Sequence, residues 1–145
     1  DVLFAMVRLN NRLLMEAVAS GLAQATTRWG RLEAIIAGNF PDGLFEPNIA
    51  NAWLSVCAAS ATNPRYARLQ RIFYARLQSN LASAFRDVLP EARFKQVALA
   101  LGTMIDGLWL RRATGEPLTP QDGTALVLGV AVALLTEAER AQLVA

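Results

Sequence analysis

An acidic residue inside an apolar helix is the feature of this sequence most able to do chemistry. Asp106 lies within the run 101–112, and Trp109 follows three residues later, so the two side chains share a face of the predicted helix. A carboxylate that is removed from water needs a positively charged or hydrogen-bonding partner. That partner is either an arginine of the protein or a small cationic ligand held against aromatic rings.

Aromatic residues on neighbouring predicted helices are compatible with a ligand site. If the third, fourth and fifth helices pack together, Trp53, Tyr74 and Trp109 would surround a cavity with Asp106 in its wall. The rings would attract a quaternary ammonium group and the carboxylate would balance its charge. Large aromatic residues at this spacing are more typical of an ordinary hydrophobic core. The predicted ligand-binding residues are Trp53, Cys57, Phe73, Tyr74, Leu77, Asp106 and Trp109.

The composition argues against catalysis. The chain has no histidine, which removes the commonest general base and metal ligand. Cys57 is the only cysteine and lies in an apolar run, so it is predicted to be a core residue without a disulfide. We expect no enzyme activity, no cofactor and no metal. A reducing cytoplasm fits the lone cysteine, and no apolar run approaches the ~20 residues that a membrane span needs.

Hydrophobic periodicity predicts helices along almost the whole chain. The pairs Asn63-Pro64 and Thr119-Pro120 have the sequence of an N-cap followed by proline at the first helical position. The 145 residues, 54% of them hydrophobic, suit one domain with a substantial core. We therefore predict an all-α bundle of about six helices, over residues 2–25, 27–39, 47–62, 64–89, 91–114 and 120–135, with a frayed or separate turn over 136–145.

The last long helix is apolar on nearly all sides and must be covered. One cover is the rest of the monomer. The interpretation we prefer is self-association, in which a two-fold axis brings together the last two long helices of two chains. The predicted interface residues are Leu108, Leu126, Val127, Val130 and Leu134.

Four segments of the chain resemble the TetR family of bacterial transcriptional repressors, and within it the choline-responsive BetI branch. They are Ala52–Leu54, Arg68–Ile72, Arg76–Leu81 and Ile105–Arg111. The resemblance covers almost the whole chain and implies the C-terminal regulatory fold of that family, with a homodimer formed through the last two long helices. It also implies a parent protein that binds operator DNA through an N-terminal helix-turn-helix head. We expect that head to be absent from these 145 residues.

The resemblance implies an effector-binding and dimerisation domain whose ligand releases the parent protein from DNA. The implied effector is choline, betaine aldehyde or a related cation, with Asp106 holding the charged end. Two alternatives remain open. The domain could sense a neutral hydrophobic molecule, with Asp106 paired to Arg71 or Arg76. It could also be a helical dimerisation module with a filled core and no ligand.

Overall fold

Seven α-helices joined by short loops make up the structure, a computed structural model that describes residues 1–145. The predicted all-α fold is confirmed. No helix is long and apolar enough to cross a membrane. The helices are α1 (Val2–Gln24), α2 (Arg28–Gly38), α3 (Pro47–Ala59), α4 (Pro64–Phe85), α5 (Glu91–Ala113), α6 (Pro120–Leu134) and α7 (Glu137–Val144).

Local sequence explains where the later helices begin. Asn63 caps α4, because its side-chain oxygen accepts hydrogen bonds from the first-turn backbone amides. At α6, the Thr119 side chain accepts a bond from the backbone of Asp122, while the Asp122 carboxylate accepts one from the backbone of Thr119. The predicted helix starts at Pro64 and Pro120 are thereby confirmed.

The prediction of about six helices was one helix short. Thr136 and Glu139 form a second reciprocal capping box, which starts α7 as a separate helix where a frayed turn was one option. Arg93 of α5 then donates hydrogen bonds to the carboxylate of Glu139 and to the backbone oxygen of Leu134. These bonds hold the C-terminal segment against the bundle.

Two helices end earlier than predicted. Helix α3 stops at Ala59, and the amides of Thr62 and Asn63 turn back onto the Ala59 oxygen before α4 begins. Helix α4 stops at Phe85, four residues before the predicted end at residue 89. Asp87 has a φ of 64°, in the left-handed region, so the chain leaves the helix at this point.

The main hydrophobic core receives side chains from all seven helices. The loop between α2 and α3 adds Phe40 and Phe45, which are both fully buried. The core therefore extends past the helices and fixes this loop beside α5. The buried residues of this core include one from each of α1 to α7 in turn: Val18, Ile35, Ala50, Leu81, Ile105, Val127 and Leu143.

The apolar α6 has one buried face and one exposed face. Val127 is fully buried, whereas its neighbour Leu126 is 45% exposed. Leu108 on α5 is buried as well. Leu108 and Val127, predicted at a dimer interface, are therefore core residues of this chain. Successive helical residues point about 100° apart, so a helix that is apolar all round cannot present every side chain to one partner.

Candidate ligand-binding site

A cavity lies between α1, α3, α4 and α5, and Asp106 forms part of its wall. The space open to a water molecule is only about 20 Å³, enough for about one water and far below the volume of small-molecule sites. The walls nearly meet at the centre, so side chains must shift to admit a molecule larger than water. Seven of the ten lining residues are hydrophobic; the ten are Val7, Asn10, Asn11, Leu14, Ile49, Trp53, Phe73, Ile105, Asp106 and Trp109.

Two tryptophans form an aromatic corner of this cavity. Trp109 is only 6% exposed, and its Nε1 donates a 3.0 Å hydrogen bond to the backbone oxygen of Asn39. Its ring meets that of Phe45 edge to face, with centroids 5.0 Å apart. The centroid of Trp53 lies 6.4 Å from that of Trp109. The anchored Trp109 therefore gives Trp53 a fixed surface to pack against.

Asp106 has a neutral partner within the protein. The Tyr74 hydroxyl donates a 2.9 Å hydrogen bond to its Oδ2. Burial raises the pKa of Asp106 to about 6, against an ordinary value of 3.8, while the bond from Tyr74 lowers it. The carboxylate is therefore mostly ionised at pH 7, but its environment opposes the charge.

No ion pair of the structure includes Asp106. The alternative in which it pairs with Arg71 or Arg76 is not what the structure shows. Arg71 is exposed, and the Arg76 guanidinium contacts Sδ of Met15 on α1. The helical rotation of α4 turns the tyrosine rather than these arginines toward α5.

The structure brings together four of the seven predicted ligand-binding residues. Trp53, Phe73, Asp106 and Trp109 line the cavity. Tyr74 and Leu77 instead line a groove between α4 and α5 on the other side of Asp106, which forms a wall of both spaces.

Cys57 lines neither the cavity nor the groove. Its sulfur accepts a 2.7 Å hydrogen bond from Nε2 of Gln70. Burial, together with the negative charge of Asp106, raises the pKa of this thiol to about 11. Cys57 is therefore a neutral thiol at physiological pH and lies near the site without facing it.

Sequence reasoning missed the wall that α1 provides. That helix contributes Val7, Asn10, Asn11 and Leu14 to the cavity. The available signal was the pair of asparagines, which interrupts the apolar stripe of α1. Ile49 and Ile105 also line the cavity, and nothing in the sequence separates them from other core isoleucines.

No group of three or more acidic, cysteine or histidine residues is placed to hold a metal ion.

The arrangement of helices is shared with a protein of known structure. The fold matches a solved structure of a candidate transcriptional regulator from Pseudomonas aeruginosa PAO1, with a TM-score of 0.74 and 22% sequence identity. The match covers 97% of this chain and 69% of that one.

Residues 29–140 match the family described as BetI-type transcriptional repressor, C-terminal. This chain therefore belongs to the family of BetI-type repressor C-terminal domains, and the predicted resemblance is confirmed.

Two relatives show how far the similarity extends. The transcriptional regulator BetI of Cronobacter sakazakii is 40% identical over 129 residues, which is 86% of this chain and 63% of that protein. BetI of Burkholderia mallei is 44% identical over 89 residues, which is 61% of this chain and 46% of that protein. The chain thus spans less than two thirds of the length of either regulator.

Proposed function

We propose that this chain is the single effector-binding and dimerisation domain of a TetR-type repressor, and that its effector is a small organic cation such as choline. The observation that carries the proposal is a carboxylate without a protein counter-ion in the wall of an aromatic cavity. Asp106 supplies this charge, and Trp53, Phe73 and Trp109 supply the rings.

The charge balance of the cavity supports a cationic ligand. None of its lining residues is a lysine or arginine, and the Tyr74 hydroxyl that binds Asp106 is neutral. A quaternary ammonium group would supply the missing positive charge, and the faces of Trp53 and Trp109 would cover its methyl groups. The resemblance to the choline-responsive BetI branch makes choline the first ligand to test.

The proposed mechanism is a shift between two dimer geometries. In the parent protein a helix-turn-helix head would bind operator DNA in the cytoplasm. A ligand that binds more tightly to the geometry that does not fit DNA lowers the affinity for the operator. The decrease is limited by the ratio of the ligand's affinities for the two dimer geometries. Because α1 lines the cavity, the ligand would touch the first helix of this domain directly. This role needs binding only, with no catalytic step and no cofactor.

Exposed apolar residues on α5 and α6 support the proposed homodimer. Leu99, Leu110, Leu126 and Val132 are all exposed, and Val130 and Leu134 are partly so. Burying such a surface removes apolar area from water. The dimer would use Leu126, Val130 and Leu134 of the predicted set.

A neutral hydrophobic effector is the second candidate. The observation that favours it is the mainly apolar lining of the cavity, together with the burial that raises the pKa of Asp106 to about 6. A protonated Asp106 would accept an uncharged ligand without leaving a buried charge unpaired.

Calorimetric titration with choline and with its neutral isostere 3,3-dimethylbutanol separates the two candidates. We expect choline to bind the wild-type chain more tightly, and Asp106→Asn to weaken choline binding by about 10- to 100-fold, the range for loss of a charged contact. Binding of the neutral compound should change by less than about threefold. The variant is expected to fold, because burial already favours the uncharged side chain.

Asp42→Asn is the matched control, because Asp42 is an exposed carboxylate in the loop between α2 and α3. Equal losses for both compounds in Asp106→Asn would overturn the assigned role of the carboxylate. Preference of the wild type for dimethylbutanol would establish the hydrophobic sensor. Binding of neither compound would contradict the choline proposal and leave the dimerisation role.

A further inference from the structure

We infer that Asn10 and Asn11 of α1 bind a neutral polar group of the effector, so that the site takes a small cation that also carries a hydroxyl or carbonyl. This inference rests on the proposed function, because it assigns the second end of the same ligand. Both asparagines line the cavity that contains Asp106.

The position of the two asparagines is unusual for polar side chains. They lie on α1 between Val7 and Leu14, which are both buried, and they are themselves half-buried. An amide that is removed from water without a hydrogen bond costs about 1–3 kcal/mol. A pair of amides at this depth therefore needs water or a ligand to satisfy it.

Neither side-chain amide bonds to another group of the protein. No fully buried polar side-chain atom lacks a partner, so both amides stay open to the cavity or to solvent. Two other asparagines of this chain have structural roles. Asn39 donates to the Ile35 oxygen at 2.7 Å, and Asn51 donates to the Ala113 oxygen at 3.0 Å. The α1 pair has no comparable structural task.

The helix packing separates the asparagines from Asp106. Helices α1 and α5 both pack on α3 and α4; the asparagines lie on α1, whereas Asp106 lies on α5. The amides and the carboxylate therefore belong to different walls of the cavity. A ligand with its cationic end against Asp106 would direct its other end toward α1.

The chemistry of an amide selects the kind of group at that end. An asparagine side chain offers both donors and an acceptor, which suits a hydroxyl or a carbonyl. No lysine or arginine lines the cavity, so a carboxylate on the ligand would find no counter-charge. The ligand class is therefore a cation with one neutral polar group a few bonds away.

Choline and propyltrimethylammonium form the probe pair, because the second compound replaces the hydroxyl with a methyl group. We expect the wild type to bind choline about 3- to 10-fold more tightly in calorimetric titration, the range for one net hydrogen bond. In Asn10→Ala and Asn11→Ala, or at least in one of them, the ratio should fall toward one. Affinity for propyltrimethylammonium should stay within about twofold.

Asn48→Ala is the matched control, because Asn48 is an exposed asparagine in the first turn of α3 that does not line the cavity. Alanine has the highest helix propensity, so the α1 variants are expected to fold, and thermal melting by circular dichroism checks this. The comparison of the two cations on the wild type needs no variant at all.

Each outcome has a definite meaning. A hydroxyl preference that is lost in an α1 variant and kept in Asn48→Ala supports the inference. Equal binding of both cations by the wild type, or a preference that survives in both α1 variants, overturns this inference alone and leaves the cation proposal standing. Failure of both cations to bind the wild type overturns the proposed function, and this inference with it.

Discussion

Tyr74 donates a 2.9 Å hydrogen bond to Oδ2 of Asp106 and thereby joins α4 to α5 at the wall of the cavity. Asp106 faces the cavity, whereas Tyr74 is 38% exposed on the side of the open groove. Burial and the charge of Asp106 raise the pKa of Tyr74 above its ordinary value. The pair thus keeps a neutral donor beside a carboxylate that has no counter-ion in the protein.

Choline affinity is expected to depend on pH through Asp106. Its pKa is raised to about 6, so the ionised fraction rises about tenfold between pH 5 and pH 7, and the affinity should rise by a similar factor. Cys57, with a pKa of about 11, and Tyr74 stay neutral over this range. Titrations in buffers of different ionisation enthalpy should show proton release near pH 6.

Tyr74→Phe provides the control for this prediction. This variant lacks the hydroxyl that donates a hydrogen bond to Asp106 and lowers its pKa. The midpoint of the pH dependence of choline affinity should therefore move to higher pH. The raised pKa of Asp106 also makes the stability of the fold depend on pH. Protonated Asp106 contributes stability that is complete below about pH 4 and is lost as the pH rises through 6. An affinity that does not change between pH 5 and pH 7 would contradict the assignment of Asp106 as the charged contact.

A charge on the exposed face of α6 is expected to dissociate the proposed homodimer. Leu126 and Leu9 are each 45% exposed, but only Leu126 lies on the proposed interface. Leu126→Glu should weaken dimerisation at least tenfold, because it places a charge in a desolvated contact, whereas Leu9→Glu should stay dimeric. Sedimentation equilibrium measures both. Dissociation by Leu9→Glu with no effect of Leu126→Glu would move the interface to α1.

A methyl group at Gly38 is expected to destabilise the fold. A Cβ there would lie 2.4 Å from Val18 Cγ2 and 2.8 Å from the Val18 Cα, so α1 and α2 would have to separate. Gly38→Ala should lower the free energy of unfolding by about 1–3 kcal/mol. The Cβ of Gly129→Ala would meet nothing within 4 Å. This substitution at an exposed helix position should raise the free energy of unfolding by about 0.5–1 kcal/mol.

Urea unfolding at several protein concentrations tests this pair of glycine variants and separates folding from dimerisation. Equal stability of the two variants would show that the contact between Gly38 and Val18 relaxes without cost.

Features that depend on neighbouring residues could be predicted from the sequence. The caps at Asn63 and Thr119 involve hydrogen bonds to backbone amides two or three residues away, so the residue types alone locate the helix starts. The family resemblance likewise depends on linear motifs. The ends of α3 and α4 were less predictable, because Phe85 and Ala59 end helices through loop geometry that carries weaker sequence signals.

Features that join distant parts of the chain were decided by tertiary packing. The sequence determined that Asp106 lies in an apolar helix near Trp109, and therefore that it needs a partner. Only the rotation of α4 against α5 decided that the partner is Tyr74 rather than an arginine. Only the position of α1 decided that Asn10 and Asn11 complete the cavity. Helix rotation and spacing result from many weak contacts across the core, and no short segment of sequence contains them.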